Sequence, residues 1–203
     1  MSVIRVKTLT IQLIDAQPDR IRICRIDGES LVTVVVPRED LTEAKSLPNI
    51  PQRGIYYLLD EDHGNVSRVY AGQTTQGIAR LDAHKAKKEF WNKAIMFLDD
   101  DQNISRDALD VLEAKAIDYV RTHGSYETDN SATPKPYVDP YKEGAVERLH
   151  ERILFRMAAL GYDLDRVDHG PAGAPAIFHT KKNGIRGAGL YDKATGHFTV
   201  LAG

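Results

Sequence analysis

Near the start of the chain, charged and aliphatic side chains alternate in a pattern that suits an extended backbone. Arg20-Ile21-Arg22-Ile23 and Arg25-Ile26 put charge on one side and aliphatic groups on the other, so one face can be buried and the other solvated. Residues 31–36 are a further strand ending at Pro37. Asp15-Ala16-Gln17-Pro18-Asp19 and Asp27-Gly28-Glu29 read as turns, and residues 40–47 as a short helix. The first fifty residues are therefore expected to be a β-rich module.

Pro48 and Pro51 punctuate the chain before the pattern changes. Residues 54–59 and 66–72 are two apolar runs joined by the acidic stretch 60–65, which predicts a β-hairpin. A helix is predicted over residues 77–88 and a third strand over 94–98, followed by a solvated loop at Asp99-Asp100-Asp101. Ser105 is placed to cap a helix, with Asp107 in its first turn and Leu109, Leu112, Ala116 and Val120 on its buried face. Pro134, Pro136 and Pro140 keep residues 128–141 extended or looped. A second amphipathic helix carries Val146, Leu149, Ile153, Met157 and Leu160 on one face and stops at Gly161. Short strands follow over residues 176–201, separated by Asn183-Gly184 and by Ala194-Thr195-Gly196, and no internal repeat is visible. The chain divides into residues 1–50, 51–142 and 143–203.

Composition narrows the class of protein. The 203 residues are 42% hydrophobic and 28% charged, ordinary values for a globular chain. Lys+Arg 27 against Asp+Glu 29 gives a net charge of -2, so any contact with nucleic acid has to come from a local basic patch. Cys24 is the single cysteine, which excludes an internal disulfide and a cysteine-based zinc site. No apolar run approaches the roughly 20 residues of a spanning helix. Thr8, Thr10, Gln12 and Asp15 interrupt any signal-like apolar core after Arg5 and Lys7. A cytoplasmic location is the expectation.

The middle segment holds the residues with chemistry. Gly54-Ile55-Tyr56 lies on one hairpin strand and Tyr70-Ala71-Gly72 on the other. Arg80 and His84 follow on the next helix, Glu113 on the one after it, and Asn130 in the loop before the prolines. This order resembles the GIY-YIG nuclease superfamily, and the resemblance covers residues 53–141. The second tripeptide is YAG rather than YIG, which exchanges one small apolar residue for another. The interval from Tyr56 to Tyr70 is slightly long for the family, and the acidic turn is expected to absorb the difference. The tail, with Gly187-Ala188-Gly189-Leu190-Tyr191 and Gly196-His197-Phe198-Thr199-Val200-Leu201, is similar to a small domain of unknown function that trails some bacterial members. The resemblance implies an α+β fold: a small, mainly antiparallel three-stranded sheet flanked by helices, with β-rich N-terminal and C-terminal appendages.

The residue types suit phosphodiester hydrolysis, which needs an activated water and charge neutralisation at the phosphoryl oxygens. Glu113 offers a hard oxygen ligand for Mg²⁺ or Mn²⁺. Arg80 has a planar fork that matches phosphate. Tyr56 is the expected general base, provided that a nearby arginine and a metal-bound water lower its pKa from about 10. Tyr70 is expected at the scissile phosphate, His84 as a proton relay or phosphate ligand, and Asn130 as a support of the site. Residues 76–98 carry Arg80, Lys85, Lys87, Lys88 and Lys93 against Asp82 and Glu89, a net charge of +3 that suggests a DNA backbone patch. Phe90 and Trp91 beside it are expected in the core rather than on DNA bases.

The expected function is a divalent-metal-dependent endonuclease acting on DNA, with a homodimer or two successive events needed for double-strand cutting. The alternatives are a nucleic-acid-binding module that keeps the scaffold without cutting, and a protein whose flanking pieces bind a partner.

Overall fold

The computed structural model describes residues 6–62, 65–100, 103–124, 126–165, 176–182, 185–192 and 197–202. The N-terminal alternation becomes β1 (Leu9–Leu13), β2 (Arg22–Ile26) and β3 (Val32–Pro37), followed by the short helix α1 (Leu41–Ala44). The hairpin is β4 (Arg53–Asp62) and β5 (Asn65–Thr74), and a 3-10 turn at Gly77–Ala79 leads into α2 (Arg80–Lys87). Then come β6 (Lys93–Asp99), α3 (Arg106–Thr122), the two-residue β7 (Glu127–Thr128) and α4 (Pro140–Ala159). Ser105 and Asp139 cap α3 and α4, each accepting a backbone N–H through its side chain.

The main sheet has seven strands in the order β1-β2-β3-β6-β4-β5-β7, antiparallel except for the pairing of β5 with β7. This corrects the expected three-stranded core. Strands β4, β5 and β6 are present as predicted, but β3 pairs directly with β6 over six residues and so joins the N-terminal strands to the same sheet. Periodicity identifies a strand without naming its partner, and this partner lies about sixty residues away in sequence.

Strands β3, β4 and β6 are buried on both faces, which is why they read as near-continuous apolar runs. Ile55, Tyr57, Leu59, Ile95 and Phe97 pack against Leu109, Leu112 and Ala116 of α3 and Ile153 and Met157 of α4. On the other face Tyr56, Leu58, Met96 and Leu98 pack with Leu41, Ala44, Leu81 and Trp91. Trp91 is 1% exposed, so it belongs to the core as expected. Arg156 of α4 is fully buried and donates to Thr33 at 3.1 Å and to Glu29 at 3.0 Å, fastening the last helix of this body to the N-terminal strands.

The hairpin takes up its extra length differently from expectation. Its strands continue to Asp62 and from Asn65, with an irregularity in register at Asp60/Glu61, where Ser67 Oγ donates to Asp60. His63 and Gly64 lie outside the described residues, as do Asp101 and the tail's predicted separators. In the tail, β8 (Ala176–Lys182), β9 (Ile185–Asp192) and β10 (His197–Ala202) form an antiparallel sheet of their own in the order β10-β9-β8. No helix among the described residues is long and apolar enough to cross a membrane.

Gly54 is required by the approach of β6. A Cβ at this position would lie 1.8 Å from the Phe97 carbonyl oxygen, a backbone atom that cannot yield without shifting the sheet. Gly54→Ala is therefore expected to destabilise the protein by about 2–3 kcal/mol or more. Gly144→Ala, in the exposed first half of α4, is expected to stabilise it by about 0.5–1 kcal/mol. Urea midpoints of the two variants check both signs.

Candidate active site

Strand parity assembles the site. Tyr56 pairs with Gly72, and Tyr70 stands two residues away on the same face of β5. A Cβ on Gly72 would lie 2.6 Å from the Tyr56 hydroxyl and 2.9 Å from the Tyr70 ring, so this glycine makes the room in which the two phenols meet. Their ring centroids are 6.3 Å apart. His84, from the second turn of α2, lies 5.4 Å from the Tyr56 ring and 5.1 Å from that of Tyr70. Its Nε2 is 2.6 Å from the Tyr56 hydroxyl. Arg80, one turn earlier, sets its guanidinium against the same hydroxyl.

Burial decides the proton positions. Tyr56 is fully buried, and desolvation pushes its hydroxyl well above the ordinary value near 10. The Tyr70 phenol adds to that rise, and the contact with Arg80 does not offset it. The expected lowering of the Tyr56 pKa by a neighbouring arginine is therefore reversed. For His84, burial followed by the charges of Arg80, Lys88 and Lys87 lowers the pKa to about 4. The imidazole is neutral at pH 7, and in the tautomer that carries its proton on Nδ1 the protonated phenol donates its O–H to His84 Nε2.

Glu113 and Asn130 approach from the outer edge of β5. There β7 pairs only with Arg68 and Val69, and side chains and a loop complete the ladder beyond them. Asp129 N–H donates to the Val69 carbonyl at 2.8 Å. The Asn130 amide accepts from Ala71 N–H at 2.9 Å and donates to the Ala71 carbonyl at 2.8 Å, replacing a peptide group. Glu113, on α3, accepts from Gln73 N–H at 3.0 Å and from Gln73 Nε2 at 2.9 Å. The same Gln73 amide donates to Asp110 at 2.8 Å. Glu113 remains close enough to Tyr56 and Arg80 for its charge to act on both.

Among the described residues no group of three or more His, Cys, Asp or Glu side chains is arranged to hold a metal ion. A Mg²⁺ ion needs no such cage, because it is commonly held by one or two carboxylates with water and substrate phosphate. Glu113, with Asp110 beside it on the shared Gln73 amide, fits that kind of site.

No family model, curated protein or solved structure matches the chain. The site therefore stands on its own geometry.

The basic residues differ in their surroundings. Lys85 and Lys87 are exposed on α2, and the Lys85 ammonium donates to the Arg38 carbonyl at 3.1 Å. Lys88 pairs with Asp129 and lies 4.5 Å from the Tyr70 ring centroid, within the cluster itself. Lys93 has the parity of Ile95 and Phe97, so it takes the opposite sheet face, where it pairs with Glu61 and lies 5.3 Å from the Tyr162 ring centroid. Three residues of the site escape the motif: Gln73, Asp110 and Asp129. Their signals were local, since each lies within three residues of Gly72, Glu113 or Asn130.

The low pKa of His84 implies acid lability. Unfolding returns its pKa to about 6.5. Below that pH the unfolded chain takes a proton that the folded protein refuses, so stability falls as pH drops from about 6.5 towards 4. His150, also lowered, acts in the same direction. Melting temperatures across this range are expected to fall less steeply for His84→Gln than for the wild type. An equal slope in the two proteins removes the assignment.

Proposed function

We propose that the protein is a divalent-metal-dependent endonuclease that hydrolyses DNA phosphodiester bonds. The observation that carries this reading is the convergence of Tyr56, Tyr70, Arg80 and His84 on one face of the hairpin, with Glu113 reaching the same strand edge. These side chains supply a proton path, a phosphate ligand and a hard oxygen within a single cluster.

Arg80 turns its guanidinium from the Tyr56 hydroxyl to the phosphate of the substrate, where its fork matches two oxygens. That movement opens Tyr56 to water. As the water oxygen bonds to phosphorus, its proton passes to the Tyr56 oxygen and the phenol's own proton passes to His84 Nε2. Tyr56 ends neutral, His84 ends protonated, and the leaving oxygen takes its proton from solvent. The negative charge of the phosphate offsets the cations Arg80, Lys88 and Lys87, which together with burial keep His84 unprotonated. Mg²⁺ or Mn²⁺ at Glu113, when bound, supplies charge neutralisation at the phosphoryl oxygens. Tyr70 orients a phosphate oxygen, and Asn130 fixes the strand segment between Tyr70 and Gly72.

A plasmid-nicking assay with and without Mg²⁺ tests the reading. Wild-type protein is expected to relax supercoiled DNA only with the metal. Glu113→Gln is expected to abolish cutting while DNA affinity stays within a few-fold. Tyr56→Phe and His84→Gln are each expected to lower the rate by about 10² to 10⁴-fold, because either change breaks the same proton path. DNA binding without any metal-stimulated cutting would favour the non-cleaving module.

A further inference from the structure

Positions 80, 84 and 88 recur every four residues, so Arg80, His84 and Lys88 follow one line along α2 and its C-terminal cap. Lys88 is where the helix ends, with an extended backbone at φ -127° and ψ 117°. Its ammonium lies 4.5 Å from the Tyr70 ring centroid and 6.0 Å from that of Phe90. It is ion-paired with Asp129, and each side chain of the pair is only 25% exposed. Lys85 and Lys87, by contrast, are exposed on the helix surface.

The partner is held as firmly as the lysine. Asp129 donates its backbone N–H to Val69, and the next residue clamps Ala71 on both sides of its peptide. A cation is thus fixed over one of the two site tyrosines by an anion at the edge of the strand that carries it. The Asp129 carboxylate presents two anionic oxygens to the ammonium, much as a phosphodiester presents its two non-bridging oxygens. Lysine serves as a point-charge ligand for either group.

We propose that Lys88 is a catalytic residue that binds a non-bridging oxygen of the scissile phosphate, and that Asp129 holds its place in the free protein. This rests on the phosphodiesterase reading above. Arg80 and Lys88 then bracket the phosphate from either side of His84, and substrate displaces the aspartate rather than water alone. Asp129 is a positioning residue, and its carboxylate competes with the substrate.

The test combines single-turnover nicking with Mg²⁺ at saturating protein and binding to a short DNA duplex without metal across a salt series. Lys88→Met is expected to lower the cleavage rate about 10²-fold, the scale of losing one charge-stabilising group. It should also flatten the salt dependence by about one phosphate contact. Lys88→Arg should recover most of the rate. Lys45→Met, which removes an equal charge at the end of α1 from an ion pair with Asp82 of α2, should cut within about twofold of wild type. Asp129→Asn should bind DNA more tightly, by about three- to tenfold, because no carboxylate then has to be displaced. Melting curves of each variant confirm that it is folded.

A Lys88→Met rate within threefold of wild type overturns the catalytic role, and Asp129→Asn binding no tighter than wild type overturns the stand-in role. A wild-type protein that binds DNA but does not cut it overturns the phosphodiesterase reading, and the catalytic role of Lys88 with it. The Asp129→Asn comparison still decides whether the pair is a phosphate site.

Discussion

The outer edge of β5 is the constraint on which the site depends. A strand with one unpaired side leaves N–H and C=O groups that must find partners or stay wet. Three different groups finish this edge: the backbone of Asp129, the side-chain amide of Asn130 and the carboxylate of Glu113. They come from the segment after β7 and from α3. Completing the sheet therefore draws in the polar groups that surround Tyr56 and Tyr70. The same contacts hold Val69, Ala71 and Gln73 in place on the strand that carries Tyr70 and Gly72.

Much of the hairpin was legible because its apolar runs and its two glycines answer to local rules. Gly54 and Gly72 stand where a main chain and a phenol come too close for any Cβ. The size of the sheet was not legible, because the pairing of β3 with β6 is settled by which edges meet after collapse. Lys93 illustrates the same limit at one residue. Adjacency in sequence grouped it with the lysines of α2, whereas strand parity turns it to the far face beside Tyr162. Asp129 is similar, since its relation to Lys88 exists only once the edge of β5 is closed.

Electrostatics at Tyr56 depends on desolvation as much as on neighbours. Counting charges along the chain suggests an easily ionised phenol, because Arg80 is near. The folded protein buries the hydroxyl completely, and that cost outweighs the guanidinium. His84 responds to the same enclosure in the opposite sense and loses its proton. A buried acid and a buried base, each driven to its neutral form, make an uncharged hydrogen-bonded pair.

The placement of β6 between β3 and β4 bears on the order in which the chain can fold as it is made. The first three strands form a local meander, and the edge of β3 has no partner until β6 is synthesised. On the ribosome that meander would present a row of unpaired backbone groups along Val34, Val35 and Val36, a template for association with another nascent chain. Closing it brings together residues far apart in sequence, and so does the Arg156–Glu29 bond, which spans 127 positions. The N-terminal strands are therefore a passage of chain for which chaperone protection during synthesis would matter most.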